Sequence, residues 1–167
     1  TYKEDKDYWM EQISLIPPAP MLPLQKDPSV IRKPQFATIE KVIPKSEWNV
    51  LQKEAKKKGI TTSTLLCTAY ALVLGYWSNQ PELTINVTVF TRYPFNEGVT
   101  DIVGDFTSVI LLRVNLLGRS DFWKLASEIQ NQLMDALEHR HYDGMNVIRK
   151  IAEQAEMKEQ AVMPVVF

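Results

Sequence analysis

The side chains best suited to proton chemistry in this sequence are three carboxylates and one hydroxyl. Asp105 and Thr107 lie within residues 101–112 (DIVGDFTSVILL), and Asp135 and Glu138 lie near the end of a helical pattern. A carboxylic acid in a poorly solvated channel can keep its proton near neutral pH and act as a general acid, and a nearby threonine hydroxyl can orient or relay that proton. The other interpretation of Thr107 is a strand threonine that bonds to its neighbours, and the residue types alone do not decide between the two.

Other arrangements that carry chemistry are weak or missing in the sequence. No GxSxG motif occurs, so a nucleophile elbow is not predicted. Cys67 falls within an apolar helical pattern, where a thiol packs as a small hydrophobe. His139 and His141 have no dependable third partner for a metal, and a histidine at a helix end also suits the helix dipole. No glycine-rich phosphate loop follows a strand, so we expect no metal, no nucleotide and no directly bound cofactor.

Asp105 and Thr107 stand at the entrance of a predicted strand, residues 105–115. Gly104, just before them, would permit a backbone shape or a close approach that other residues resist. A second strand is predicted at 83–90 (LTINVTVF), whose alternation puts an apolar row on one face and a polar row on the other. The polar row, which faces either solvent or a wet cavity, consists of Thr84, Asn86 and Thr88.

The segment between these two strands, residues 91–100 (TRYPFNEGVT), is rich in turn residues and is predicted to be a loop. Arg92 in this loop has two interpretations. It is either a solvated charge or an anchor that holds the loop through a carboxylate such as Asp101 or Asp105.

Helical spacing of apolar residues predicts five helices around these strands. They cover residues 5–15, 46–58, 62–77, 120–140 and 144–155. The expected N-caps are Ser46, Ser120 and Asp143, with Gly59 as a helix stop. Apolar residues nearly encircle the helix at 62–77, so it should be mostly buried. Further strands are predicted at 35–43 and 162–167. The alternation of helices and strands predicts an α/β fold with helices packed on a small mixed sheet.

Residues 15–24 (LIPPAPMLPL) contain four prolines, which exclude a helix or a central strand. The segment is either a linker or an ordered strap that crosses a surface. We favour the strap because large apolar residues are spaced between the prolines. The expected packing residues are Leu15, Met21, Leu22 and Leu24.

Length and charge exclude several classes of protein. A chain of 167 residues with 45% hydrophobic and 23% charged residues can bury a core and is not expected to be disordered. The formal net charge of −1 gives no footprint for nucleic acid. The charged N-terminal segment is neither a signal peptide nor a membrane span, and a single cysteine fits a reducing, cytoplasmic compartment. The chain starts inside a helical pattern and stops inside a strand-like run, so we expect it to be part of a longer protein.

Five ordered motifs give this sequence a specific resemblance to one family. LIPPAPMLPL resembles the motif LPPAPxLPL, and TSTLLCTAYALVLGYWS resembles TPSxxLLxAxxxVLxxWS. LTINVTVFTRYPFNEGVTDIVGDFTS is similar to LNLTLFNRLPLHPxVxxxVGDFTS, LEHRHYDGMNVIRK to LDHRxxSGVxVLRE, and MPVVF to the start of PVVFTS. By these motifs the chain resembles the heterocyclization domain of nonribosomal peptide synthetases, a branch of the condensation-domain superfamily.

This resemblance implies a fold and a set of partners. Such domains have two lobes, each resembling chloramphenicol acetyltransferase, with the active-site tunnel between them. The DxxxxD signature of the N-terminal lobe is absent here, so residues 1–167 look like the C-terminal lobe alone. Implied partners are the N-terminal lobe and the peptidyl carrier and adenylation domains of the same synthetase. Substrates would arrive on the phosphopantetheine of carrier domains. An isolated lobe would expose the apolar face that its partner covers, which favours a homodimer.

The resemblance also implies a reaction. The family condenses an acyl or peptidyl thioester with carrier-bound cysteine, serine or threonine, and then cyclodehydrates the product to a thiazoline or oxazoline. Thr107 matches the threonine that the family uses in dehydration. The family's acid lies in an acidic-Asp-Leu-acidic-His pattern, from which Ala136 departs, so either Asp135 or Glu138 substitutes or the acid is missing. Asp105 then serves mainly to hold the loop.

Two other functions fit parts of the same pattern. An ordinary amide-forming or acyl-transferring relative would form no ring, and an HHxxxDG motif in the N-terminal lobe would favour it. A docking module for a carrier protein would have no catalytic role at all. We expect the ring-forming function, with the isolated lobe inactive.

Overall fold

The computed structural model describes residues 1–93, 97–118, 121–154 and 162–167. These ranges contain five α-helices and two β-strands. In chain order they are α1 (Tyr2–Gln12), α2 (Lys45–Lys57), α3 (Thr62–Ser78), β1 (Glu82–Phe90), β2 (Thr107–Asn115), α4 (Phe122–Glu138) and α5 (Gly144–Gln154). Short 3-10 turns lie at Ile13–Leu15, Pro28–Val30 and Glu97–Asp101.

The sheet is built on the antiparallel pair of β1 and β2, in a register that runs from Glu82 opposite Asn115 to Phe90 opposite Thr107. The C-terminal segment adds to the other edge of β1 as a parallel bridge between Asn86 and Val166. Residues 162–167 therefore contribute one bridge rather than the full predicted strand. The prediction of a small mixed sheet with packed helices is confirmed.

The core lies on the apolar face of this sheet. Alternation places the apolar row of β1 on the same face as its partners in β2, and this row is almost fully buried. Its members are Leu83, Ile85, Ile110, Leu112 and Val114. Helices α3 and α4 contribute Ala71, Leu125 and Ile129 to the same cluster. Apolar burial of this kind is the main stabilising term of the fold.

The helix ends follow the expected chemistry with small shifts in position. Thr61 caps α3 by accepting the N–H of Thr64, and Gly59 ends α2 with a positive φ of 70°, as predicted. Asp121 caps α4, whereas the expected cap, Ser120, lies outside the described residues. Helix α2 begins at Lys45 after Pro44, so the predicted Ser46 cap is wrong.

Helix α3 is less buried than the sequence suggested. Cys67 and Ala71 face the core, but Val73, Tyr76 and Trp77 are 55%, 81% and 62% exposed. The prediction of a mostly buried helix is wrong because only one side of α3 packs against the sheet and α4. No single described helix is long and apolar enough to cross a membrane, and α2 and α3 pass such a test only as a pair bent by 101°.

The prediction of an ordered strap at residues 15–24 is confirmed, but three of its four expected packing residues are wrong. The main-chain oxygens of Pro17 and Pro18 accept the hydroxyl and the N–H of Thr84, at 2.6 and 3.0 Å. Leu22 packs against the core, whereas Leu15, Met21 and Leu24 are exposed.

The predicted strand at residues 35–43 is wrong. These residues are exposed and do not pair with a strand among the described residues. Apolar alternation cannot hold a strand without a neighbour.

Candidate functional site

The site predicted at the entrance of β2 is built around Asp105 and Thr107. The main-chain N–H of Thr107 donates to Oδ1 of Asp105 at 2.8 Å, an arrangement in which an aspartate side chain shapes its own turn. A hydrogen bond from the Thr107 side chain, followed by this main-chain bond, lowers the pKa of Asp105. Both residues are exposed. Asp105 is therefore a carboxylate at neutral pH, suited to accepting a hydrogen bond rather than to donating a proton.

Arg92 holds the segment that leads to this turn. Its Nη1 donates to the main-chain oxygens of Val99 and Thr100, at 2.7 and 3.0 Å. Its guanidinium lies 3.9 Å from the centroid of the Phe106 ring, within the range of a cation–π contact. The anchor interpretation is thus correct in outcome but wrong in partner, because the described contacts of Arg92 are with main-chain oxygens and an aromatic ring rather than with Asp101 or Asp105.

Gly104 does not have the special backbone that its place in the motif suggested. It is not among the residues with a positive φ. A Cβ atom on it would make only an ordinary contact, 3.7 Å from Phe106. The expectation of a strained shape or a close approach at Gly104 is wrong.

The polar row of β1 is split between buried and exposed positions. Thr84 and Asn86 are 1% and 5% exposed, whereas Thr88 is exposed. Asn86 donates from Nδ2 to the main-chain oxygen of Met163 at 2.6 Å. The strap therefore covers Thr84 and the C-terminal segment covers Asn86, whereas Thr88 faces solvent. Neither predicted environment, open solvent or a wet cavity, holds for the whole row.

A second carboxylate, which sequence reasoning treated only as a helix cap, reaches the same end of β2. The hydroxyl of Ser108 donates to Oδ1 of Asp143 at 2.7 Å. The same oxygen accepts the N–H of Met145 at 2.9 Å, so Asp143 caps α5 as predicted. The available signal was the family segment LDHRxxSGV, in which serine stands where this chain has Asp143.

Asp135 and Glu138 are not part of the Asp105–Thr107 turn. Asp135 lines a surface cleft together with Arg113 and Gln132. Glu138 is exposed at the last residue of α4. Among the described residues neither acid forms a hydrogen bond with Thr107, and the roles of Asp135 and Glu138 as the acid stay predictions.

Ala136, the residue after Asp135, has no polar side chain. Ala136 is 3% exposed and belongs to the core. The position at which the family places its aspartate therefore faces the packed interior of this chain. No acid stands at position 136, so Asp135 and Glu138 stay the predicted substitutes.

His139 and His141 surround a carboxylate. Nδ1 of His141 lies 3.0 Å from Oδ2 of Asp5, and Nδ1 of His139 lies 3.4 Å from Oδ1. Tyr8 stacks on His139, with ring centroids 3.7 Å apart. The cluster joins α1 to the end of α4, so the two histidines have a structural partner.

Cys67 is buried as expected, and burial raises the pKa of its thiol to about 11.

Comparison with known proteins defines the class to which this fold and site belong. The family model of the condensation domain matches residues 1–167. The chain therefore belongs to the condensation-domain family, with its chloramphenicol acetyltransferase-like fold, as the five motifs indicated.

The chain is similar to one part of several large synthetases. Bacitracin synthase 1 of Bacillus licheniformis is 44% identical over 167 residues, which is 99% of this chain and 3% of that protein. Pyochelin synthetase PchE of Pseudomonas aeruginosa is 30% identical over 162 residues, 97% of this chain and 11% of that protein. The chain thus spans a small fraction of the curated relatives it matches.

Two solved structures differ in their likeness to the chain. The EpoB cyclization-docking bidomain of the nonribosomal peptide synthetase from Sorangium cellulosum matches with a TM-score of 0.86 and 34% identity, over 99% of this chain and 33% of that chain. The first condensation domain of the CDA synthetase matches with a TM-score of 0.69 and 16% identity, over 99% and 34%. The second likeness shows the fold alone.

Proposed function

We propose that this chain is the C-terminal lobe of a heterocyclization domain in a nonribosomal peptide synthetase. The domain condenses a carrier-bound acyl or peptidyl thioester with carrier-bound cysteine, serine or threonine, and cyclodehydrates the product to a thiazoline or oxazoline. The observation that carries this proposal is the closer likeness to a cyclization domain, at 34% identity, than to a condensation domain, at 16%. The 31% identity to phenyloxazoline synthase MbtB of Mycobacterium tuberculosis supports the same reaction class.

The ring-forming step has two parts whose protons must be moved. The acceptor's sulfur or oxygen attacks the carbon of the new amide, its proton passes to the carbonyl oxygen, and a hydroxyl-bearing ring forms. The C–O bond to that hydroxyl then breaks, the leaving hydroxide takes up a proton to become water, and the nitrogen loses its proton as the C=N bond forms. Each transfer benefits from a side chain placed to donate or accept at the reacting atom.

Thr107 is the side chain that we assign to this relay. Its hydroxyl is both a donor and an acceptor, and it is exposed at the entrance of β2. The bond that Thr107 donates to Asp105 at 2.8 Å comes from its main-chain N–H, so this bond does not use the hydroxyl, whose lone pairs can accept a proton from the substrate. Asp105 orients Thr107. Asp135 and Glu138 remain the candidates for proton donation, and the observed geometry gives neither a contact with Thr107.

The proposal includes partners that the chain does not contain. The N-terminal lobe completes the tunnel, and peptidyl carrier domains deliver substrates on phosphopantetheine in the cytoplasm. Adenylation domains of the same synthetase load those carriers. Because the tunnel lies between two lobes, the isolated chain is inactive.

Ala136 favours a second candidate function. A buried alanine at the position of the family's aspartate leaves the dehydration step without that acid. A domain of this kind forms the amide and leaves it on the carrier without a ring. This alternative uses the same fold and the same carrier partners.

Mass spectrometry of carrier-bound products from the intact synthetase separates the two functions. The ring product is lighter than the amide by the mass of one water. We expect the wild-type enzyme to make the ring, and Thr107→Ala to slow ring formation by about 10²–10⁴-fold while amide formation continues. A wild-type enzyme that makes only the amide would overturn the ring-forming proposal. Normal ring formation by Thr107→Ala would overturn the role of Thr107, and Thr107→Ser serves as the matched variant that keeps a hydroxyl.

A further inference from the structure

We infer that Asp143 is a positioning residue for Thr107 and acts through Ser108. This inference rests on the proposed ring-forming function. It assigns a role to a carboxylate outside the motif GDFTS, at the start of α5. The carrying observation is the 2.7 Å hydrogen bond from the Ser108 hydroxyl to Oδ1 of Asp143.

Two hydrogen bonds to aspartates hold the first two residues of β2. Asp105 accepts the N–H of Thr107 at 2.8 Å, and Asp143 accepts the hydroxyl of Ser108. Because successive side chains of a strand point to opposite faces, Thr107 and Ser108 project away from each other. The two bonds anchor this dipeptide at two points, the main-chain N–H of Thr107 and the side chain of Ser108, which restricts where the Thr107 hydroxyl can lie.

Asp143 is itself held rigidly. Its Oδ1 also accepts the N–H of Met145 at 2.9 Å, and its main-chain oxygen accepts the N–H of Asn146 at 2.9 Å. An acidic side chain is favoured at this helix N-terminus. The 2.7 Å distance to Ser108 is typical of a short bond to a carboxylate. The helix start therefore provides a fixed reference for Ser108.

The main chain of β2 and the start of α5 also touch directly. A Cβ atom on Gly144 would collide with the main-chain oxygen and carbon of Val109. Val147, one turn further along α5, is fully buried. A shift of the first turn of α5 must therefore move the first residues of β2, and the Ser108–Asp143 bond lies where the two elements meet.

The sequence around Asp143 differs from the family at two places that bear on the same function. The aspartate expected at position 136 is a buried alanine, and the serine expected at position 143 is an aspartate. Among the described acids on which the site was predicted, only Asp105 contacts Thr107. Asp143 thus adds a carboxylate at the strand entrance, one residue from the relay.

The test compares ring and amide products from the intact synthetase. Ser108→Ala removes the hydroxyl and leaves the Asp143 cap of α5 in place, so the fold is retained. We expect the ratio of ring to amide to fall by about 10- to 100-fold, because small misplacement of a catalytic group costs this much. Asp143→Ala should lower the ratio equally, and the double variant should fall no further because the two residues act through one bond.

Two further variants control for folding. Asp143→Asn keeps both the cap and an acceptor oxygen and should keep the ratio near that of the wild type. Asp121→Ala removes the corresponding cap of α4, where Asp121 accepts the N–H of Trp123 and Lys124, and should leave the ratio unchanged. An unchanged ratio in Ser108→Ala, or an equal loss of ring and amide, would overturn the inference alone. A wild-type enzyme that makes only the amide would overturn the proposed function and this inference with it.

Discussion

The carboxylate of Asp5 accepts two hydrogen bonds from His141, a residue 136 positions further along the chain. The main-chain N–H of His141 lies 2.8 Å from Oδ2 of Asp5, and ring Nδ1 lies 3.0 Å from the same oxygen. Asp5 is only 4% exposed. A buried carboxylate needs partners of this kind, so this contact ties α1 to the segment that joins α4 and α5.

Stability should fall in acid because of this contact. Burial raises the pKa of Asp5, but hydrogen bonds from His141 and His139 outweigh it, and the net pKa is lowered. A lowered pKa means that the stabilisation is complete above the unfolded value, about 3.9, and is lost as pH falls through the folded value. We expect urea midpoints followed by tryptophan fluorescence to drop below about pH 4 in the wild type.

Asp5→Asn provides the matched comparison for that measurement. It should lower the free energy of unfolding by about 1–3 kcal/mol at neutral pH, because it weakens bonds to a buried group. It should also flatten the acid limb of the pH profile. An acid limb identical in the variant and the wild type would show that other carboxylates cause the loss.

Replacement by alanine should destabilise the chain at Gly144 but not at Gly104. Gly144→Ala places a Cβ against the main chain of Val109 and should destabilise the chain by about 1–3 kcal/mol, as overpacking does. Gly104→Ala meets only an ordinary contact with Phe106 and should change stability by less than about 0.5 kcal/mol. Thermal unfolding of both variants measures the difference. Equal effects would contradict the close docking of α5 on β2.

Arg92→Lys should loosen the loop before β2 although it keeps the charge. Lysine cannot reproduce the paired bonds to Val99 and Thr100 or the stacking on Phe106. We expect faster hydrogen exchange at the amide of Thr91, which donates to the main-chain oxygen of Phe106 at 2.8 Å. Arg149→Lys, at an exposed position of α5, is the control and should leave that exchange rate unchanged.

The isolated chain should self-associate through the exposed side of α3. Tyr76 and Trp77 are 81% and 62% exposed there, and contiguous apolar surface favours association. Light scattering at high concentration should show dimers, and Trp77→Lys should shift the population toward monomer. A monomeric wild-type chain at high concentration would be evidence against this surface as a contact site.

Local patterns predicted the elements that carry strong periodicity. Helices α3 and α4 and strands β1 and β2 were expected within a few residues of their observed bounds, because apolar spacing and caps are local features. The strand at 35–43 was expected from the same kind of pattern and is wrong. A helix satisfies its hydrogen bonds within one segment, whereas a strand depends on a partner that local sequence does not specify.

The sequence by itself determined the family and most of the helices and strands, and it predicted Thr107 as the centre of the site, because motifs and periodicity are properties of neighbouring residues. Only the tertiary structure decided which carboxylates meet that site. It joined Ser108 to Asp143 across 35 positions and placed Asp135 in a surface cleft that Arg113 also lines. It also turned Tyr76 and Trp77 outward on an apolar helix. Contacts of this kind depend on how helices pack on a sheet, which no local spacing encodes.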